Sequence, residues 1–347
     1  MTRPTVIDIA REAGVSLATV DRVLNARPGV RAQTIGAVND AITKLGYVRD
    51  QAAANLARSR SYRMVLVLPD SDSQFVQTLA QALTDAAQAA AAIRTEARQL
   101  RFPPEDMHAL AALLANLPDD TAGVALMAPE TPVVRDAVRA LRARGIPVVA
   151  MVSDLPNTDR DHFVGIDGVA AGRTAGVLMG RFLGPCPAQV IVLGQSMLLR
   201  DSIDRRRGFD AVMQADFPQI EVLQTLETHG SATILSQVMA EILRTAPDAR
   251  GIYLLGSGHR ALSRTLAAHH PDRRFVVIGH ELTPHTHEAL KSGHLDAIVT
   301  QNPGHLARSA LRVLRARADR APIDESQERL RIEIVLRENL PTGPFEP

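Results

Sequence analysis

From Tyr62 onward the chain alternates short apolar runs with longer stretches patterned as helices, and that alternation admits few architectures. The runs RMVLVLP, AGVALMA, IPVVAMV, QVIVLG, GIYLLG and FVVIG are apolar at successive residues, as strands covered on both faces must be. Between them, residues 76–92, 132–144, 168–183, 231–246 and 303–317 read as helices. Repeated strand, helix, strand units close as parallel sheets with helices on both faces. Residues 62–347 suffice for two such doubly wound lobes.

Open sheets of this kind bind ligands beyond the carboxyl ends of their strands. The candidates are therefore Ser73 and Phe75 after the first strand, Ser153 and Asp154 after IPVVAMV, and Asp167 after HFVGI. Further along, Arg205 lies in RDSIDRRRGF, Ser257 follows GIYLL, Glu281 follows FVVIGH and Gln301 follows DAIVT. Carboxylates accept from vicinal hydroxyls, Arg and Gln donate, and Phe75 covers an apolar sugar face, so the set suits a sugar or polyol. Val76, not a second aromatic, follows Phe75, which weakens the stacking clamp.

The first sixty residues follow a different rule. Thr5 and Asp8 form the pattern of a capping box with Asp in place of Glu, and Val6, Ile9, Ala10 and Ala13 recur at helical spacing over about 5–13. Gly14 supplies a turn, Ser16 caps a second helix, and Val20, Val23 and Leu24 form its apolar stripe. NARPG at 25–29 breaks the pattern, and Ile35, Val38, Ile42 and Leu45 define a third helix that stops before Gly46. Helix, tight turn and helix is the build of a DNA-reading head whose second helix enters the major groove. On that helix Arg22 is placed to donate in bidentate fashion to guanine, while Leu17 and Ala18 offer apolar contact to base edges. Ser16, Thr19, Asn25 and Arg31 are placed to meet phosphates, and Thr5 joins the DNA-facing set. Charge agrees with this: residues 1–63 hold ten Lys/Arg against five Asp/Glu and the rest 29 against 33, so the overall +1 hides a basic head.

TVIDIAREAGVSLATVDRVLNARPGV, AITKLGY and AAANLARSRS closely resemble the N-terminal region of LacI-family bacterial transcription regulators, and the resemblance extends over the whole chain. It implies a homodimer on a pseudo-palindromic operator and a ligand-controlled core. The expected domains are a helix-turn-helix head at 1–47, a hinge helix and linker at 48–61, and a core at 62–347. By resemblance Asn55 and Leu56 belong to the hinge that pairs with its dimer mate in the minor groove, Leu56 as the wedge that opens a base step. Ala52, Ala53, Ala54 and Ala57 give that segment helix propensity, yet it is too short to hold a helix alone. Asp21 stands where the family usually has Ser, and Arg31 where a helix-capping Ser or Thr is common.

The core resembles periplasmic sugar-binding proteins of the ribose-binding type, a periplasmic-binding-protein-like fold of type I with two lobes, three crossovers and the ligand between the lobes. That places the first lobe at about 62–163 and 300–324 and the second at about 164–299 and 325–347. Arg205, four residues before Phe209, matches the family arginine that reaches ligand hydroxyls. Glu281 stands where sugar binders usually carry Asp, and Gln301 matches a polar crossover residue. The implied function is a transcriptional repressor released from its operator by a small sugar or polyol effector. A solute-binding protein without regulatory role and a sugar-acting enzyme are the competing classes.

Composition narrows these. An apolar fraction of 46% fills sizeable cores. Cys186 is the single cysteine, which excludes an intramolecular disulfide and is expected to be a buried small apolar residue. No charged-then-apolar leader opens the chain and no apolar run approaches the roughly 20 residues that span a bilayer, so a cytoplasmic protein without a membrane partner is expected. GSGHRA at 256–261 imitates a dinucleotide fingerprint, but a tight strand-to-helix turn accounts for its glycines. His280, His285 and His287 lack the Cys or acidic spacing that completes a metal set. No nucleophile elbow or P-loop is present, so no enzyme, cofactor or metal is expected. The terminal LRENLPTGPFEP carries no apolar heptad, which favours a dimer over a tetramer.

Overall fold

The computed structural model describes residues 4–24, 28–47, 61–269 and 274–341. They form two compact units that divide between Arg60 and Ser61.

In the N-terminal unit, α1 (Val6–Glu12), α2 (Leu17–Leu24) and α3 (Ala32–Leu45) close over Ile9, Val20 and Val38, all fully buried. The capping box is formed: the Thr5 backbone N–H donates to Asp8 Oδ2 at 2.9 Å and the Asp8 N–H to Thr5 Oγ1 at 3.4 Å. Its hydrogen bonds from Thr5 hold the Asp8 carboxyl below the ordinary range. Gly14 takes φ +64°, and Ser16 Oγ accepts from the Thr19 N–H at 3.2 Å, which starts α2. Lys44 pairs with Glu12 and ties α3 to α1, and Gly46, left-handed at φ +59°, ends α3. Arg31 occupies the N-cap of α3 without a capping hydrogen bond.

The core carries two sheets. The first is wholly parallel in the order β2-β1-β3-β4-β5, from β1 (Tyr62–Pro69), β2 (Thr95–Phe102), β3 (Thr121–Leu126), β4 (Val148–Met151) and β5 (His162–Val164). The second has the order β11-β10-β9-β8-β6-β7, from β6 (Ala188–Gly194), β7 (Ile220–Glu227), β8 (Ala249–Leu254), β9 (Val276–His280), β10 (Ala297–Thr300) and β11 (Glu333–Val335), with only β11 antiparallel. Helices α4 (Gln74–Ala91), α5 (Met107–Ala115) and α6 (Pro132–Ala143) connect the first sheet. In the second, α7 (Gly168–Leu183), α8 (Arg200–Asp216), α9 (Ala232–Thr245), α10 (His259–His269) and α11 (Pro284–Lys291) do so. After β10 the chain returns to the first sheet, where α12 (Pro303–Asp319) packs on α4 and β3, and then re-enters the second as β11. Tyr62 opens the core by donating to Asp319 at 2.5 Å beneath the guanidinium of Arg315.

The six apolar runs of the sequence all lie in central strands. β2 (TEARQLRF) and β7 (IEVLQTLE) are polar because each is the outermost strand of its sheet and partly exposed, so neither shows as an apolar run. Cys186 is exposed, not buried as expected. It sits between Pro185 and Pro187 in the loop joining α7 to β6, where no core face is available to it. Among the described residues, no helix is long and apolar enough to cross a membrane.

Candidate functional site: an effector cavity and a DNA-reading helix

The carboxyl ends of both sheets open on one cavity of about 890 Å³. Its centre on the second lobe is Arg205, 2% exposed on α8. The guanidinium donates to the Leu255 carbonyl and to Glu281 Oε1, each at 2.7 Å, with Asp201 Oδ2 at 3.5 Å. Burial opposes its charge, but Asp201 and Glu281 hold the proton more firmly than usual. Burial pushes the Glu281 carboxyl up, against the pull of Arg205. Gln301 Nε2 donates to the same Glu281 oxygen at 3.2 Å, which places Gln301 behind the carboxylate. Arg205 Nε, Glu281 Oε2 and Gln301 Oε1 are buried without a hydrogen-bond partner, a costly state for a closed core and a useful one for a site that receives hydroxyls.

Two packing devices hold Arg205 in place. Gly168, Gly172, Gly176 and Gly180 recur every fourth residue along α7 and let α8 approach backbone to backbone. A Cβ at Gly172 would lie 1.9 Å from the Arg205 carbonyl oxygen, and one at Gly208 of α8 2.0 Å from that of Val169. One turn on, Phe209 stacks on Tyr253 with ring centroids 4.3 Å apart, and Tyr253 Oη meets His280 Nε2 at 2.7 Å. Backbone strain gathers here too. Val152, His229 and Glu281 line the cavity with φ of +65°, +48° and +71°, a region non-glycine residues enter at a cost of about 1–3 kcal/mol.

The strand-end candidates divide. Ser73, Phe75, Arg205, Ser257 and Glu281 line the cavity, with Ser257 Oγ donating to Gln195 Oε1 at 2.8 Å. Gln301 is held against Glu281. Ser153 is buried and accepts from the Asp201 N–H at 3.4 Å, a bond between the lobes. Asp154 forms a fork with Arg160. Asp167 caps α7 by accepting from the Ala170 N–H at 2.9 Å and lines a second, smaller cavity with Asp204 and Phe163. Asp201, Gln195 and His259 were not among the candidates, yet all three line the main cavity. His259, which the sequence offers only within GSGHRA, is the most informative. Its Nε2 donates to the His280 carbonyl at 3.1 Å over Gly279, whose missing side chain makes room for the ring.

That environment has a pH signature. Burial lowers His259 to about 4 and His280 well below 6.5. The unfolded chain therefore binds more protons than the folded one as pH falls below about 6.5, and stability present at neutral pH is lost toward pH 4. The His259 shift alone corresponds to about 3 kcal/mol. Glu281, raised, works in the opposite sense just above its ordinary value. The melting temperature is expected to fall steeply from pH 6.5 to 4, and less steeply in His259→Gln; parallel curves for the two proteins would refute the assignment.

On the head, Leu17 is 50% exposed, and Ala18, Asp21 and Arg22 share exposed surface on α2 while Val20 points into the core. Ser16 and Thr19 join hydroxyls at 2.9 Å at the start of α2, and Arg31 is exposed. Thr5 is exposed and engaged in its capping box. Asn25, Asn55 and Leu56 lie outside the described residues.

Two sheets sharing a polar-ended cavity define a two-lobed small-molecule-binding core, preceded in the chain by a helix-turn-helix unit. Residues 64–321 match the family model for a periplasmic binding protein domain, and residues 5–50 that for bacterial regulatory proteins of the lacI family. The chain belongs to the periplasmic-binding-protein family through its core and carries a lacI-family DNA-binding segment ahead of it. Catabolite control protein A of Staphylococcus xylosus is 40% identical over 83 residues, 24% of this chain and 25% of that protein. The protein of that name from Staphylococcus aureus strain Mu50 is 39% identical over the same length, so the chain matches about a quarter of these relatives. GanP, a glucose-galactose binding protein from Geobacillus stearothermophilus, superposes with a TM-score of 0.71 at 19% identity, covering 82% of this chain and 100% of its own. A solute binding protein from Burkholderia graminis in complex with D-arabinose gives 0.71 at 19% identity over 82% of this chain and 98% of that one. At such identities the likeness is one of fold.

Proposed function

We propose that the protein is a cytoplasmic, homodimeric repressor whose hold on a pseudo-palindromic operator is released by a sugar or polyol bound between the core lobes. The observation that carries the effector half is the pair Arg205 and Glu281 in the lining of a cavity shared by both lobes, backed by Gln301, with an unpaired buried polar atom on each of the three side chains. Vicinal hydroxyls, which donate and accept at once, satisfy such a set. The DNA half rests on the exposed face of α2 and the lacI-family match. Coupling requires only that effector prefer one arrangement of the lobes, by about 1–3 kcal/mol in typical systems. The same carboxylates serve binding without catalysis, so the protein is not an enzyme on this reading.

The test is fluorescence anisotropy of full-length protein on a pool of pseudo-palindromic duplexes, titrated with a sugar and polyol panel at fixed salt. One compound lowering operator affinity supports both halves; one raising it makes the effector a corepressor; DNA binding indifferent to every compound refutes the cavity chemistry. Arg22→Ala is expected to weaken binding to the selected operator by about ten- to a hundredfold and barely change binding to random duplex, since a bidentate guanine contact is worth about 1–3 kcal/mol. Equal loss on both duplexes would make Arg22 a phosphate contact.

A further inference from the structure

A carboxylate on a basic DNA-reading head opposes the phosphates it approaches, so each one needs a reason to be there. Among the described residues of the head the carboxylates are Asp8, Glu12, Asp21 and Asp40. Asp8 closes the capping box of α1, and Glu12 pairs with Lys44. Asp40 is exposed on α3. Asp21 is exposed on α2, at a position where the chain departs from the family pattern.

Helix geometry puts Asp21 inside the base-reading face and not on its flank. With Leu17 as origin, Asp21 lies at about 40° around the helix, Ala18 at about 100° and Arg22 at about 140°. These four are the exposed residues of α2; Thr19, Val23 and Leu24 are half-buried and Val20 is buried. Asp21 therefore stands between the side chains that meet base edges, one turn after Leu17 and beside Arg22. Ala18 ends at its Cβ, so the helix can lie deep enough in the groove for a short carboxylate to touch a base.

A carboxylate only accepts hydrogen bonds. In the major groove guanine presents N7 and O6 and thymine O4, acceptors that repel it, and adenine sets N7 beside its N6 donor. Cytosine presents its N4 amino group with no acceptor next to it. Turned toward the backbone instead, the same charge would weaken binding to all sequences and select none.

We propose that Asp21 is a specificity-determining residue that reads a cytosine in each operator half-site by accepting from its N4 amino group. This rests on the operator-binding half of the reading above and adds a specified base to it. The carboxylate serves discrimination more than affinity, because it rejects guanine and thymine at its position by repulsion.

The test is selection from duplexes with randomised half-sites by the full-length protein and its Asp21→Ala, Asp21→Asn and Asp40→Asn variants at one salt concentration, followed by anisotropy titration of the selected duplex and its single-base changes. At one half-site position the unsubstituted protein is expected to bind cytosine about tenfold or more tightly than thymine or guanine, the scale of a hydrogen bond to a charged group. Asp21→Ala should level that position and leave the others. Asp21→Asn should shift it toward adenine, whose N6 and N7 an amide meets in bidentate fashion. Asp40→Asn, which removes the same charge from α3, should leave the selected sequence unchanged. Asp21 variants that keep the original preference at every position overturn the proposal and leave the operator reading standing: tighter binding to all duplexes would put the carboxylate beside phosphate, and unchanged binding would put it in solvent. Loss of a preference for a base other than cytosine also overturns it. An unsubstituted protein that selects no sequence removes the operator reading and the proposal together.

Discussion

Arg205→Ala is expected to abolish the effector's influence on operator affinity while leaving operator binding without effector intact. The guanidinium is the only cation that Glu281 contacts among the described residues, and it also holds the Leu255 carbonyl. Removing one partner of a buried pair costs about 3–5 kcal/mol, most of it the penalty of the charge left behind. Here that charge is the Glu281 carboxylate, already resisting ionisation through burial. The loss of stability should therefore be greater at pH 8, where the carboxylate must stay charged, than near pH 5, where protonation relieves it. Arg205→Lys should not restore the response, because one ammonium cannot reproduce the fork that spans Leu255 and Glu281. Anisotropy with and without effector, and melting curves at both pH values, measure these outcomes. A variant that still answers effector would place the binding chemistry elsewhere in the cavity.

How far the sequence reveals this site depends on whether a residue's role is set by its own strand or by a distant one. Glu281 is legible because a strand end puts it at the crevice, and Arg205, in the second turn of α8, because its spacing to Phe209 resembles that of the family arginine. Asp167 obeys the same rule of position, yet one of its carboxylate oxygens accepts from the Ala170 N–H and the residue lines the smaller cavity, not the main one. Asp154 is likewise taken by Arg160. Those are local competitions that a strand-end rule does not weigh. His259 fails for the opposite reason: its place at the start of α10 depends on the room left by Gly279 and on the carbonyl of His280, 21 residues later in β9. Central strands show as apolar runs because both faces are covered. The outer strands β2 and β7 do not.

The glycine ladder of α7 leads to the second large effect. Gly172→Ala is expected to destabilise the core by about 3 kcal/mol or more, the upper end for overpacking, because the new methyl meets backbone and no side chain can yield. Relief requires α7 and α8 to separate by about 1 Å, given a Cβ only 1.9 Å from the Arg205 carbonyl. That shift is carried directly to the guanidinium, whose bonds to Leu255 and Glu281 are 2.7 Å and have little length to spare. The variant that still folds should therefore bind effector weakly, although residue 172 is not in the cavity lining. Gly36→Ala in α3 supplies the contrast: its Cβ meets nothing within 4 Å, and replacing a mid-helix glycine there should stabilise the head by about 0.5–1 kcal/mol. Denaturant titrations of both variants and effector titration of Gly172→Ala at a temperature where it is folded decide the matter. Unchanged effector affinity in a destabilised Gly172→Ala would mean that the ladder supports the fold alone, and that Arg205 is positioned by Phe209 and Tyr253 instead.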